Sequence, residues 1–498
     1  MSGIRKLASQ TIWYGSSNIL SRMLNYMLTP LLTSIFSPGD FSKISTLFAL
    51  AAFMNVVYTF GMETTYFRFL TQEKEQKVFN TTVTNILLST VLFSLLSFAF
   101  VHPLTNLIKL GGDHEYVQWV IMIVIFDTLS AIPFARLRQM GRPHKYAFLK
   151  ISNVLLQIGL IYFILKYCKN AEASSLWAGL YDPKIGVGYV ILANLFASAF
   201  TFILLSAEFR QYRWAIDPTF WKQTIMYSLP LLIVGFGGMI NEMIDRFMIL
   251  SFYPGTHLER HTMNGIYSAN YKLAIVIAIF IQAFRLGAEP FFFRESTNAN
   301  APQIYARIMK FFVVTCCFCF LGVVLFLDLW KYFMGDTYKE YWSGLVVVPL
   351  LMVAKIFLGI YYNLSVWYKL TNKNIIGAWI TIGGAVITVA SNYILIPYLG
   401  YTGCAITTII CYGSMMLSSY YLGQKHFPVP YDVKRILTYI LSAVLTYGIY
   451  HLMVRGMTAI PIKLVIGFVL CIAYATIVFI SDKEEFSRLP ILSKWLTR

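Results

Sequence analysis

What this 498-residue chain has least of is charge, since Asp, Glu, Lys and Arg together make up 13% of it. A soluble domain carries about twice that share, so there is too little polar surface to cover a water-exposed globule of this size. No disulfide scaffold compensates. The seven cysteines are odd in number, lack framework spacing and lie almost entirely inside apolar runs. Cys316-Cys317-Phe318-Cys319 has no histidine nearby and reads as small core-packing residues. The seven histidines form no metal-type spacing; His257 and His261, four apart, read as solvated residues of an outer loop. A Gly-rich nucleotide-binding motif is missing too, which argues against ATP hydrolysis. The connections are short, and the longest outer one, around Lys169 to Lys184, cannot hold a catalytic domain. Membrane enzymes need acids or metal ligands on sizeable loops with a general base in reach. The chain is therefore read as a non-enzyme, with no catalytic residues, no metal and no cofactor.

What is present is apolar length. Hydrophobic residues make up 57% of the chain and mean hydropathy is +0.63. Runs of about 20 apolar residues, the span of a bilayer core, recur from end to end. Read against turn signals they give about fourteen spans: 11–36, 41–63, 79–103, 116–138, 146–168, 185–208, 222–252, 262–288, 304–330, 341–365, 374–396, 401–424, 434–454 and 461–481. The first follows a short head bearing Arg5 and Lys6, has no cleavage site, and reads as a retained helix. The net charge of +17 needs no nucleic acid, because basic residues collect in cytoplasmic loops. With the N-terminus inside, roughly 25 basic residues fall on inner connections and roughly 10 on outer ones. Both termini are expected in the cytoplasm, in the bacterial inner membrane.

The spans repeat. Gln10-Thr11-Ile12-Trp13-Tyr14 recurs as Gln223-Thr224-Ile225-Met226-Tyr227, and Pro38-Gly39 as Pro254-Gly255. Gly61-Met62-Glu63 with Phe67-Arg68 recurs as Gly287-Ala288-Glu289 with Phe293-Arg294, and Gly112-Asp113 as Gly335-Asp336. Arg138 and Arg142 match Lys369 and Lys373. The order is common and the offset drifts only from about 213 to about 231 residues. This reads as a parallel repeat of two six-helix lobes, 1–208 and 209–425, followed by an appended pair of helices and a tail, 426–498.

A charge in mid-membrane needs a partner or a purpose. Asn18, Arg22 and Tyr26 form one polar stripe on the first span. On the seventh, Glu242 and Arg246 stand at salt-bridge spacing, which leaves Asp245 over. Lys272, Arg285 and Glu289 follow on the eighth, Asp127 lies on the fourth and Lys355 on the tenth. Arg22, Asn18, Arg246, Lys272 and Lys355 are candidates to line a cavity suited to phosphate or pyrophosphate. The alternative is that the bases pair with Glu63, Asp127, Glu242, Asp245 and Glu289 and merely lock helices together. Asp127, Asp245 and Glu242 are candidates to bind H⁺ or Na⁺ and couple transport to an ion gradient.

One stretch resembles a known family. Asp245-Arg246-Phe247-Met248-Ile249-Leu250 is followed by Gly265-Ile266-Tyr267, Tyr271-Lys272-Leu273, Ala283-Phe284-Arg285 and Glu289-Pro290-Phe291. With two six-helix lobes and two further helices, the chain resembles the MOP exporter superfamily, in its polysaccharide-biosynthesis, O-antigen flippase (Wzx-like) branch. The resemblance implies an alternating-access flippase for a polyprenyl-pyrophosphate-linked oligosaccharide, with membrane lipids around it and a polymerase or ligase downstream. In the lipid II flippases of this superfamily the last two helices form a groove for the prenyl tail, and spans thirteen and fourteen are apolar enough to do the same, while Tyr439, Tyr447 and Tyr450 read equally as helix-packing residues. The same superfamily contains lipid II flippases, which rely on several N-lobe arginines where this lobe has only Arg22 deep in the membrane. It also contains multidrug extruders, which would not need five intramembrane bases.

Overall fold

A computed structural model describes residues 2–170, 177–214, 217–296 and 298–481. The basic tail residues Lys483, Arg488, Lys494 and Arg498 lie outside these. Among the described residues there is helix and no strand. The chain order is α1 (Ser2–Ile35), α2 (Pro38–Thr59), α3 (Met62–Phe69), α4 (Glu75–Ala99), α5 (Val101–Leu107), α6 (His114–Gln139), α7 (Pro143–Tyr162), α8 (Gly188–Leu205) and α9 (Pro218–Phe252). It continues with α10 (His257–Leu273), α11 (Ile275–Glu295), α12 (Ala301–Val324), α13 (Leu327–Trp330), α14 (Val347–Leu364), α15 (Val366–Leu370), α16 (Asn374–Leu399), α17 (Tyr401–His426), α18 (Val433–Met453) and α19 (Ile460–Ser481). Twelve helices in the described residues are long and apolar enough to cross a membrane. The predicted spans one and twelve correspond to α1 and α17, which are not among those twelve. Span eight, read as one run, is two helices that meet at Ala274.

Local chemistry sets the ends. Ser37 caps α2, its hydroxyl accepting the Asp40 amide at 3.3 Å, with Pro38 in the first turn. Asp217 caps α9 in the same manner, accepting the Thr219 and Phe220 amides at 3.1 and 3.2 Å. Between α2 and α3 the backbone turns through Phe60 (φ 31°) and Gly61 (φ 76°). Glycine suits the second position twice over, because a Cβ there would strike Leu231 of α9.

The chain divides into two compact units: 1–272 with 334–344 and 378–411, and 273–333 with 345–377 and 412–498. In the first, α6 packs on α2, α4 and α8, while α2 and α4 also meet α9. Met62, Tyr66, Phe79, Ile86, Ile132 and Phe220 form a buried cluster there. In the second, α12 packs on α11, α14, α18 and α19. Cys316 and Cys317 are buried on α12 with free thiols. The α13 carboxylate Asp328 meets Lys331 and Lys463, both at 3.0 Å, which ties α13 to α19.

Repeat-related residues make matching contacts inside their own units. Glu63 pairs with Arg138 in the first, and Glu289 pairs with Lys369 in the second. Arg138 also covers the Phe67 ring, 5.0 Å from its centroid. Arg142 lies 3.8 Å from Glu208 at the end of the sixth predicted span; its counterpart Lys373 meets His426 at the end of the twelfth, at 2.9 Å.

Candidate functional site

The polar residues of α9 face α10 across a tight connection. Glu242 and Asp245 are three apart, hence on one helical face, and Tyr267 and Tyr271 are four apart on the facing helix. The antiparallel arrangement matches them one to one. Tyr267 donates to Asp245 Oδ2 at 2.6 Å, and Tyr271 donates to Glu242 Oε1 at 2.7 Å. Asp245 Oδ1 accepts from Asn392 of α16 at 2.8 Å. One turn earlier, Asn241 donates to the Thr381 carbonyl at 3.2 Å and accepts from Thr388 at 3.2 Å. Asn241, Asp245, Thr388 and Asn392 are all buried.

The expected Glu242–Arg246 bridge takes another form. Arg246, 5% exposed, donates to the Glu242 backbone carbonyl at 3.1 Å and lies over the Tyr271 ring, 5.0 Å from its centroid. Tyr271 thus stands between base and carboxylate: its ring takes the cation and its hydroxyl takes the anion. Among the described residues, no carboxylate oxygen lies within ion-pair distance of the Arg246 guanidinium. Lys272 is half-buried, with Arg246 as its charged neighbour. Asp245 thus has a neutral hydrogen-bond partner on each oxygen and no direct ion pair among the described residues.

The other candidates lie elsewhere. Asn18 of α1 accepts from Tyr146 of α7 at 3.2 Å, and Arg22 is exposed one turn further along α1. Asp127 is exposed on α6, beside Ser198 of α8 and within the field of Lys150 of α7. The same α7–α8 seam has Asn153 donating to Thr201 at 2.9 Å. In the second unit, Lys355 is 1% exposed on α14, its ammonium 5.4 Å from the Tyr412 ring centroid. Arg285 lies 3.7 Å from Glu289 and over Tyr362. The structure therefore gathers Arg246, Lys272, Glu242 and Asp245 and places Asp127 in a separate seam. Sequence reasoning missed Tyr267, Tyr271, Thr388 and Asn392 as partners. The two tyrosines at helical spacing opposite two carboxylates were the available signal; Thr388 and Asn392, far along the chain, gave none.

The histidine reading is corrected. His257 and His261 are in α10, not in a solvated loop, and His261 is 3% exposed. Its Nε2 lies 2.9 Å from the Lys109 carbonyl oxygen and its Nδ1 lies 3.0 Å from Ser42 Oγ.

Among the described residues, twelve helices long and apolar enough to cross a membrane, with charged side chains buried among them, define a multi-pass helical membrane fold. The family model described as polysaccharide biosynthesis protein matches residues 7–294, more than half of the chain. The chain belongs to that family, within the MOP exporter superfamily. No curated protein sequence matches it. Among solved structures it is similar to the lipid II flippase MurJ in an inward closed conformation, with TM-score 0.71 and 14% identity over 94% of this chain and 99% of that one. It is also similar to a multidrug resistance MATE family transporter of the MOP superfamily in an inward-facing conformation, with TM-score 0.64 and 12% identity over 81% and 94% of the two chains. The Vibrio cholerae MATE transporter VcmN in its bent form matches with TM-score 0.54 and 11% identity over 86% and 99%. At these identities the likeness is one of fold.

Proposed function

We propose that this protein flips a polyprenyl-pyrophosphate-linked oligosaccharide, an O-antigen, capsule or exopolysaccharide repeat unit, from the inner to the outer leaflet of the bacterial cytoplasmic membrane. The observation that carries the reading is Arg246. A guanidinium buried in a membrane protein costs a few kcal/mol unless it is matched, and this one is matched by a backbone carbonyl and an aromatic face. Its remaining N–H groups suit the bidentate capture of a phosphate oxygen pair. Lys272 beside it adds a second positive charge; Arg22 and Asn18 on α1, and Lys355 in the second unit, are the other residues we assign to the substrate. The family description, polysaccharide biosynthesis, agrees with a glycan cargo.

In this reading the chain crosses the membrane fourteen times, with α1 and α17 as the first and twelfth spans and both termini in the cytoplasm. Lobes 1–208 and 209–425 rock about the site, and 426–498 contributes the appended pair. The matching Glu63–Arg138 and Glu289–Lys369 pairs support the repeat behind that arrangement. Asp245, with Glu242 beside it, takes a coupling H⁺ or Na⁺, and Asp127 is the second candidate. Beyond the lipid itself, the expected partners are a polysaccharide polymerase or ligase.

The test is leaflet transfer in liposomes. Purified protein is expected to move a fluorescent polyprenyl-pyrophosphate glycan between leaflets, with the rate falling at least tenfold in Arg246→Ala, the loss of one charge-assisted contact of about 1.5–3 kcal/mol. Transfer confined to lipid II would assign the chain to that substrate. Efflux of organic cations without glycan transfer would make it a drug exporter.

A further inference from the structure

One end of the first unit is closed by contacts in which every donor and acceptor has a determined direction. The Lys109 carbonyl, in the α5–α6 connection, lies 3.0 Å from His257 Nε2 and 2.9 Å from His261 Nε2. A carbonyl can only accept, so both Nε2 atoms carry their protons. His261 Nδ1 is then bare when the ring is neutral, and it accepts from the Ser42 hydroxyl of α2 at 3.0 Å. The Ser42 oxygen in turn accepts from Asn264 Nδ2 at 2.8 Å, and Asn264 also donates to Thr46 at 3.0 Å. Ser42 and Asn264 are fully buried. Close packing leaves this seam no slack, because Gly265 lies against the Pro38 backbone where any Cβ would overlap it.

We infer that His261 is an acid-released latch, whose neutral ring holds α2, α10 and the α5–α6 connection together and whose protonated ring parts them. A second proton on Nδ1 would meet the Ser42 hydroxyl hydrogen. Reversing that hydroxyl would let its oxygen accept from both His261 and Asn264, but would turn its hydrogen away from Nδ1 and oblige a fully buried hydroxyl to find a new acceptor. The surrounding charges oppose the proton as well. Lys43 of α2 pairs with Asp113 of the connection at 2.6 Å, and Arg260 and Glu259 of α10 with Lys109 are the other charged groups along this rim. Burial is the main cause holding the His261 imidazole below its ordinary range, with its neighbours His257 and Lys43 adding to it against the Lys109 carbonyl and Asp113. The sign follows. A group whose closed-state pKa is depressed by keeping it neutral stabilises closure fully above the ordinary imidazole range, about 6.5. That contribution is lost as pH falls. The inference does not depend on the identity of the cargo.

Spin labels at Leu107 and Leu258, both about 70% exposed, would report the opening after Cys319 and Cys471 are replaced by serine. The expected result is one short distance at about pH 8 and a growing longer population towards about pH 5, the open-to-closed ratio rising up to about tenfold per pH unit for one linked proton. His261→Gln keeps an N–H for the Lys109 carbonyl but does not titrate, and is expected to stay closed throughout. Ser42→Ala removes the donor to Nδ1 and is expected to move opening to higher pH. A distance independent of pH, an equal response in His261→Gln, or an unmoved midpoint in Ser42→Ala would each overturn the latch.

Discussion

Asp245 in the first unit and Asp328 in the second are both well covered carboxylates, yet they are satisfied by opposite means. Asp328 is gripped by two ammonium groups, Lys331 and Lys463, each at 3.0 Å. Burial pushes its carboxyl up, but those two lysines more than reverse this and hold it below the ordinary carboxylate range. Asp245 is met on both oxygens by neutral donors, Tyr267 and Asn392, with the nearest base turned towards a ring and a backbone carbonyl. The first arrangement fixes a helix pair and leaves no charge to exchange. The second meets both oxygens with neutral partners and no direct ion pair, which is the arrangement the proposed coupling role of Asp245 calls for.

The comparison breaks most sharply at the base. Arg246→Ala is expected to lower glycan-lipid transfer at least tenfold with the fold intact, and Arg246→Lys to recover part of it, because an ammonium keeps the charge without the two-pronged geometry. Transfer rates with matched helical content by circular dichroism would check this. Next in size, Asp245→Asn is expected to abolish the dependence of transfer on a pH or sodium gradient while residual, uncoupled transfer persists; an unchanged gradient response would exclude Asp245 from coupling. Asp328→Asn belongs to the other half of the comparison. It should leave coupling alone and lower the thermal unfolding temperature by a few degrees, as expected for loss of a partly exposed ion-pair network worth about 1–2 kcal/mol. The same contribution in the unaltered protein is present above about pH 4 and disappears as pH falls through the depressed Asp328 pKa. A melting series over that range would show it. Smallest of all, Tyr271→Phe keeps the ring under Arg246 and removes one hydroxyl from Glu242, a change of about 1 kcal/mol. If that variant nonetheless silences transfer, the hydroxyl has a role beyond holding Glu242.

The apolar framework was legible in the sequence because membrane helices write themselves as long runs of one character. Twelve of those runs appear as helices fit to cross a bilayer, and the repeat matched Glu63 with Glu289 and Arg138 with Lys369, although nothing in it paired Glu63 with Arg138 or Glu289 with Lys369. What sequence could not supply was direction. Glu242 and Arg246 at four-residue spacing look like a salt bridge, yet Tyr271 from the next helix takes both groups. Asn392 and Thr388 reach α9 from far along the chain, and nothing local in their own helix marks them as partners. His257 and His261 were misread because an apolar-run reading starts the helix at residue 262, so a polar first turn passes for loop. Its buried face comes from packing against Ser42 and the Lys109 carbonyl, which only the fold brings near.

The central claim is that Arg246 receives the pyrophosphate of a lipid-linked glycan. Its most direct test is binding of a short-chain polyprenyl pyrophosphate, with and without sugar, to the purified protein and to Arg246→Ala. The account predicts binding of both ligands by the unaltered protein and at least tenfold weaker binding of both by the variant, the loss expected for one charge-assisted contact of about 1.5–3 kcal/mol. Equal binding by the two proteins would contradict it.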